Sequence, residues 1–113
     1  MEAAIKAIAE PRRREILRLV WDAEMSAGQI ASHFEVSRPA ISQHLRVLKE
    51  AGLLFERRDG TRRIYRARPD GLAELREFLE AFWDESLAAL KREAEDEERR
   101  AARADGGDRD HHA

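Results

Sequence analysis

"VSRPAISQHLRVLKEAGLL" occupies residues 36–54. Ile41, Leu45 and Leu48 recur in it at helical spacing and define a buried stripe. Ser37 suits the N-cap, and Pro39 is tolerated in the first turn, where backbone N–H groups lack helical partners. Gly52 stands where the C-terminal glycine of a helix belongs. With the apolar stripe turned inward, Arg38, Ser42, Gln43 and Arg46 face outward or sideways. Such a polar, basic set can reach into a DNA groove, and it is also the composition of a solvated helix face.

Upstream, "MSAGQIASHF" at 25–34 places Gln29 three residues after Ser26, a capping-box pattern that starts a helix near Ala27. Its inward residues are Ile30, Ala31 and Phe34. The three residues "EVS" then make a tight link, so residues 27–51 read as a helix–turn–helix. Before them, residues 2–9 form a short helix with Ile5, Ile8 and Ala9 on one side. Pro11 opens another, with Ile16, Leu17 and Val20 at helical spacing. Arg12, Arg13 and Arg14 oppose the dipole of that second helix. They serve either DNA-backbone contact or pairing with Glu10 or a partner's acidic groups. His44 is either a histidine at the core margin or a base contact, and His33 belongs to the surface or to helix packing.

Downstream the period changes from helix to strand. "LLFERRDGTRRIYRA" at 53–67 is two strand-like runs joined by Asp59-Gly60, a strong hairpin signal. A loop of those two residues sets Arg58 against Thr61, Arg57 against Arg62, Glu56 against Arg63, Phe55 against Ile64 and Leu54 against Tyr65. Like charges facing each other across strands cost stability. Arg57, Arg58, Arg62 and Arg63 crowded at the tip gain nothing for folding, whereas a phosphate backbone would neutralise them. Ordinary solvated arginines are the competing explanation.

Pro69 opens the last helix. Its stripe of Leu72, Leu75, Leu79, Phe82, Trp83, Leu87 and Leu90 exceeds what one small body needs to cover. A stripe rich in aromatics suits a two-fold dimer contact, which Ile5 and Ile8 can join. Beyond Lys91, "REAEDEERRAARA" is helix-prone without an apolar face. The final "DGGDRDHHA" reads as a disordered tail, able at most to hold a divalent metal weakly. The organisation expected is a domain over 1–92 and a polar extension over 93–113.

Charge follows this division. The net charge is −2, but residues 1–68 hold 14 Lys/Arg against 9 Asp/Glu, while residues 69–113 hold 7 against 14. A basic body with an acidic C-terminal part is what a DNA-binding face kept apart from a protein interface requires. There is no cysteine, which removes disulfides, thiolate metal sites and cysteine nucleophiles, and fits a reducing cytoplasm. No apolar run approaches the roughly 20 residues of a membrane span. The N-terminus lacks the apolar run of a signal peptide.

Short helices, a helix–turn–helix and a basic hairpin make a winged helix-turn-helix, mainly α with one β-hairpin. "AIAEPRRREILRLV", "SAGQIASHFEVSRPAISQHLRVLKEAGLL" and "RRDGTRRIYRA" resemble the ArsR-type transcriptional regulators over roughly residues 3–90. The metal-independent, autorepressor-like members are the most similar in appearance. The resemblance implies a homodimer, formed through the first and last helices, that represses transcription from an inverted-repeat operator. Metal-sensing relatives use cysteines or Asp/His sets that this sequence lacks, so no cofactor is expected and any effector is unknown.

In a helix-turn-helix the second helix enters the major groove with its N-terminal residues nearest the bases. Ser42 and Gln43 are then candidates for base contact, Ser37 and Arg38 for phosphate or base, and Arg46 for phosphate. The alternative is a winged-helix module whose partner is another protein. An enzyme is disfavoured, because no phosphate loop, metal triad or cysteine nucleophile is present. Double-stranded RNA is disfavoured too, because its deep, narrow major groove admits no reading helix.

Overall fold

Ser26 is the residue on which strand, cap and helix meet. The computed structural model of the chain describes residues 1–104. Its elements are α1 (Glu2–Ile8), α2 (Pro11–Leu19), β1 (Met25–Ser26), α3 (Ala27–Ala31), α4 (Arg38–Glu50), β2 (Leu54–Asp59), β3 (Arg62–Ala67) and α5 (Pro69–Ala104). The chain divides into two units, Met1–Phe78 and a second beginning at Leu79.

The helix starts and stops follow local chemistry. Ser26 Oγ accepts from the Gln29 N–H at 3.1 Å, and the Gln29 side chain accepts from the Ser26 N–H at 2.8 Å, a complete capping box. Ser37 caps α4 by accepting from the Ala40 N–H at 3.3 Å. At the other end of α4, the Leu53 N–H donates to Leu48 O and the Gly52 N–H to Lys49 O, both at 3.0 Å. This Schellman closure needs a left-handed residue, and Gly52 has φ +79°. The link before α4 is longer than three residues. Helix α3 closes at Ala31, and residues 32–37 form the turn, with Phe34 N bonded to Ala31 O at 3.1 Å.

Ile41, Leu45 and Leu48 of α4 are buried, as their spacing predicts, in one core with Ile16 and Leu17 of α2, its C-cap Val20 and Ile30 of α3. Each such side chain contributes about 1.5–3 kcal/mol when fully withdrawn from water. On α1 the buried residues are Ala4 and Ala7, while Ile5 and Ile8 are half-buried. Small residues let α1 approach the body closely, which turns the larger isoleucines to the margin.

The sheet has three strands in the order β1-β3-β2, where the sequence pattern predicts two. Met25 and Ser26 pair with Tyr65 and Ile64. A two-residue strand carries no periodicity to read. The hairpin register also differs from expectation. Asp59 pairs with Arg62, Arg58 with Arg63, Arg57 with Ile64, Glu56 with Tyr65, Phe55 with Arg66 and Leu54 with Ala67. The loop is therefore Gly60-Thr61. An Asp-Gly loop of the I′ type needs positive φ at both central residues, but among the described residues only Gly52 and Gly60 have positive φ. Glycine first with a normal residue second is the II′ arrangement. The register moves by two residues, so every side chain keeps its face.

The first turns of α5 pack on the body through half-buried Leu72 and buried Leu75. Gly71 makes this docking possible: a Cβ there would lie 1.9 Å from Gly52 O. In the second unit, Leu79, Phe82, Trp83, Leu87 and Leu90 are exposed. Further along, Asp96–Arg99 and Glu97–Arg100 form ion pairs one turn apart. The two histidines near the C-terminus lie outside the described residues.

Candidate nucleic-acid interface

Arg38, Ser42, Arg46 and Lys49 fall on one face of α4, because steps of three or four residues return to the same side of a helix. They line an open groove of about 780 Å³ together with Thr61, Arg62 and Arg63 of the hairpin and Ser26, Ala27 and Gly28 at the start of α3. Glu50, Glu56 and Tyr65 complete the lining. The guanidinium of Arg38 lies over Gly28, close enough that a Cβ there would sit 3.7 Å from it. Of the nine DNA-contact candidates, Arg38, Ser42, Arg46, Arg62 and Arg63 come together here, while Ser37, Gln43, Arg57 and Arg58 do not line the groove. All nine are exposed. Lys49 was missed by sequence reasoning, although its place three residues after Arg46 put it on the same face.

The arginines differ in how they are held. Arg57 does not face Arg62. It faces Ile64, and its Nε and Nη2 meet one Glu24 oxygen at 2.7 and 2.5 Å. That pairing joins residues 33 apart in sequence, which local pattern does not reveal. Arg58 opposite Arg63 is the like-charge pair that does occur. Glu56 takes up part of the charge: Lys49 Nζ lies at 3.3 Å and Arg63 Nη1 at 3.9 Å. Among the described residues, Arg38, Arg46, Arg58 and Arg62 meet no carboxylate.

Beneath this charge, Tyr65 donates its hydroxyl to Glu56 at 2.8 Å. That bond is the largest influence holding the Glu56 carboxyl below its ordinary range; burial opposes it, and Lys49 and Arg63 add to the lowering. Burial, followed by the neighbouring Glu56 carboxylate, pushes the Tyr65 phenol up to about 12. Glu56 thus stays ionised and Tyr65 protonated across the neutral range, so the donor–acceptor pair persists.

Arg13 and Arg14 turn toward α1. Arg13 donates to the carbonyls of Ala7 and Lys6 at 2.6 and 3.1 Å, and Arg14 donates to that of Ile8 at 2.7 Å. Two members of the cluster that opposes the dipole of α2 therefore satisfy the last carbonyls of α1, where cations are favoured, while Arg12 lies 4.0 Å from Glu10, one of the pairings expected. His44 is half-buried at the core margin, and His33 is on the surface. Leu75, expected at a dimer contact, is 5% exposed and belongs to the chain's own core. Among the described residues no group of three or more His, Cys, Asp or Glu could hold a metal ion, and no helix is long and apolar enough to cross a membrane.

A helix–turn–helix whose second helix shares a basic groove with a hairpin defines the winged helix-turn-helix DNA-binding class. A sequence model of bacterial regulatory proteins of the arsR family matches residues 10–54. An HTH-type transcriptional regulator of Mycobacterium tuberculosis is 44% identical over 86 residues, which span 76% of this chain and 80% of that protein. Transcriptional repressor SdpR of Bacillus subtilis is 47% identical over 60 residues, 53% of this chain and 67% of that protein. The solution structure of a homodimeric winged helix-turn-helix DNA-binding domain from Mycobacterium bovis superposes with a TM-score of 0.60 at 33% identity, covering 74% of this chain and 78% of that one. The chain belongs to the arsR family of DNA-binding transcriptional regulators.

Proposed function

We propose that the protein is a homodimeric repressor that binds an inverted-repeat operator in double-stranded DNA of the cytoplasm. The observation that carries this reading is the open groove lined by both the exposed face of α4 and the hairpin arginines. In this reading α4 lies in the major groove. Ser42 and Gln43 meet base edges, Ser37 and Arg38 meet phosphate or base, and Arg46 meets phosphate. Arg58, Arg62 and Arg63 lie along the phosphate backbone, while Arg57 is assigned to bracing the hairpin through Glu24. Residues 1–92 carry DNA binding and dimerisation, with 93–113 as an extension.

The dimer contact is assigned to Ile5 and Ile8 of α1 and to Leu72, Leu79, Phe82 and Trp83 of α5. Phe82 and Trp83 are 58% and 62% exposed, which is costly for a protein that remains a monomer. The Mycobacterium bovis domain is homodimeric, which favours a dimer, and the Bacillus subtilis relative is a repressor, which favours repression.

The test is selection of binding sites from a random duplex pool, with footprinting on the DNA upstream of the protein's own gene. Enrichment of a pseudo-palindrome with half-sites about one helical turn apart is expected. Binding without sequence preference would favour the protein-interaction module instead.

A further inference from the structure

Arg13 lies outside the DNA-facing groove, yet its side chain reaches two other helices. Its Nε and Nη2 hold the last carbonyls of α1, and its Nη1 points at His44 Nδ1 of α4 at 3.4 Å. Its backbone N–H donates to Glu10 Oε2 at 3.1 Å, and that same oxygen lies 3.8 Å from His44 Nε2. An arginine only donates, so a hydrogen bond from Arg13 takes Nδ1 as its acceptor and assigns the ring proton to Nε2, the nitrogen that faces Glu10. The imidazole is 17% exposed, held by Arg13 in the first turn of α2 and facing Glu10, the N-cap of α2.

His44 directly follows Ser42 and Gln43, the two base-contact candidates. Holding its ring fixes the rotation of α4 about its own axis. A helix is about 10–12 Å across, so a rotation of about 10° moves a surface group by about 1 Å. A shift of that size breaks a hydrogen bond to a base edge. A phosphate contact made by a long, flexible arginine can follow it.

We propose that Arg13 and His44 are positioning residues for sequence readout, bracing the rotation of α4 against the end of α1 without touching DNA. This rests on the reading of α4 as the base-reading helix.

The experiment compares a duplex enriched by the wild-type protein with a scrambled duplex of equal length. His44→Leu keeps bulk and removes the acceptor. His44→Asn restores an acceptor near the Nδ1 position. Arg13→Lys keeps a cation at the end of α1 but cannot span both helices. His44→Leu and Arg13→Lys should each weaken binding to the enriched duplex by about tenfold, the effect of one charge-assisted hydrogen bond. Binding to the scrambled duplex and the salt slope should not change. The double variant should lose little more than the worse single variant, and His44→Asn should recover most of the affinity.

Additive losses in the double variant, or no loss in either single variant, overturn the brace. A lowered salt slope or a relaxed preference at one base pair in His44→Leu also overturns it, in favour of direct contact. If Arg13→Lys does not fold, His44→Leu against His44→Asn decides the matter. Failure of the wild type to enrich any sequence would fall on the DNA reading itself, and the brace would fall with it.

Discussion

Replacing Gly71 with alanine inserts one methyl group into the junction between α5 and the turn after α4. The new Cβ would lie 1.9 Å from Gly52 O and 2.9 Å from Gly52 C. Both are backbone atoms of a Schellman closure, so no flexible side chain can give way. Restoring contact distance requires α5 to withdraw by about 1.3–1.5 Å, given that carbon and oxygen rest some 3.2–3.4 Å apart. Leu75 on the same helix is 5% exposed in the core and would be drawn out with it. Overpacking of this kind costs about 1–3 kcal/mol. Alanine's higher helix propensity returns less than about 1 kcal/mol, so the net effect is destabilising.

Two other glycines calibrate the measurement. At Gly28 a Cβ meets only the Arg38 guanidinium at 3.7 Å, ordinary contact, so alanine should be neutral or stabilising by a few tenths of a kcal/mol. At Gly52 the space is open but φ is +79°, so alanine should cost about 1–2 kcal/mol from the backbone alone. Urea unfolding at one fixed protein concentration, read from midpoint and slope together, gives the order. A Gly71→Ala variant as stable as wild type would refute the claim that this close approach locks the first turns of α5 to the body.

The remaining predictions concern charge and assembly. Arg62→Ala should reduce the magnitude of the salt slope of DNA binding by about 1, whereas Arg57→Ala, already neutralised by Glu24, should leave it nearly unchanged; equal effects would contradict the division between them. Tyr65→Phe should narrow the stability difference between neutral and acid pH. The lowered Glu56 carboxyl contributes stability that is present above the ordinary value of 4.5 and lost as pH falls through the folded value, so wild type and variant should converge in acid. The raised Tyr65 group contributes stability that is complete below 10 and lost as pH rises toward about 12, so the same comparison should also narrow in strong base. Trp83→Glu should lower the sedimentation mass toward that of one chain; an unchanged mass would remove that residue from the proposed interface.

Much of α4 was legible because its determinants are local. Ser37, Pro39, Ile41, Leu45, Leu48 and Gly52 lie within 16 residues of one another and each acts on its own turn. The Ser26–Gln29 box was legible for the same reason. The hairpin shows where local reading stops. "DG" is compatible with more than one turn type, and the choice between them moves the register by two residues, which alters every cross-strand partner. The Glu24–Arg57 pair, the Gly52–Gly71 approach and the reach of Arg13 to α1 and α4 are tertiary facts. No periodicity announces them. In the three-arginine run the charge was visible, and so was the Glu10 that Arg12 meets, but the helix end that Arg13 and Arg14 satisfy was the preceding one rather than their own.

This sorting of arginines bears on how a basic body should be read. The +5 of residues 1–68 is not the charge that DNA would meet. Arg13 and Arg14 satisfy α1, Arg57 is tied to Glu24, and Arg68 lies over the Phe55 ring at 5.1 Å. Lys49 and Arg63 share Glu56. Arg38, Arg46 and Arg62 remain in the groove, with Arg58 at the hairpin, free of carboxylates among the described residues. Phosphate neutralisation rewards most the charge that the fold has left unpaired, because a cation leaving a carboxylate gives up one partner for another; Arg63, at 3.9 Å from Glu56, is only loosely held and can still turn to a phosphate. The electrostatic footprint is therefore set by tertiary pairing more than by composition. A chain with a net charge of −2 can carry it because its acidic residues are concentrated in 69–113, away in sequence from the reading helix and the hairpin.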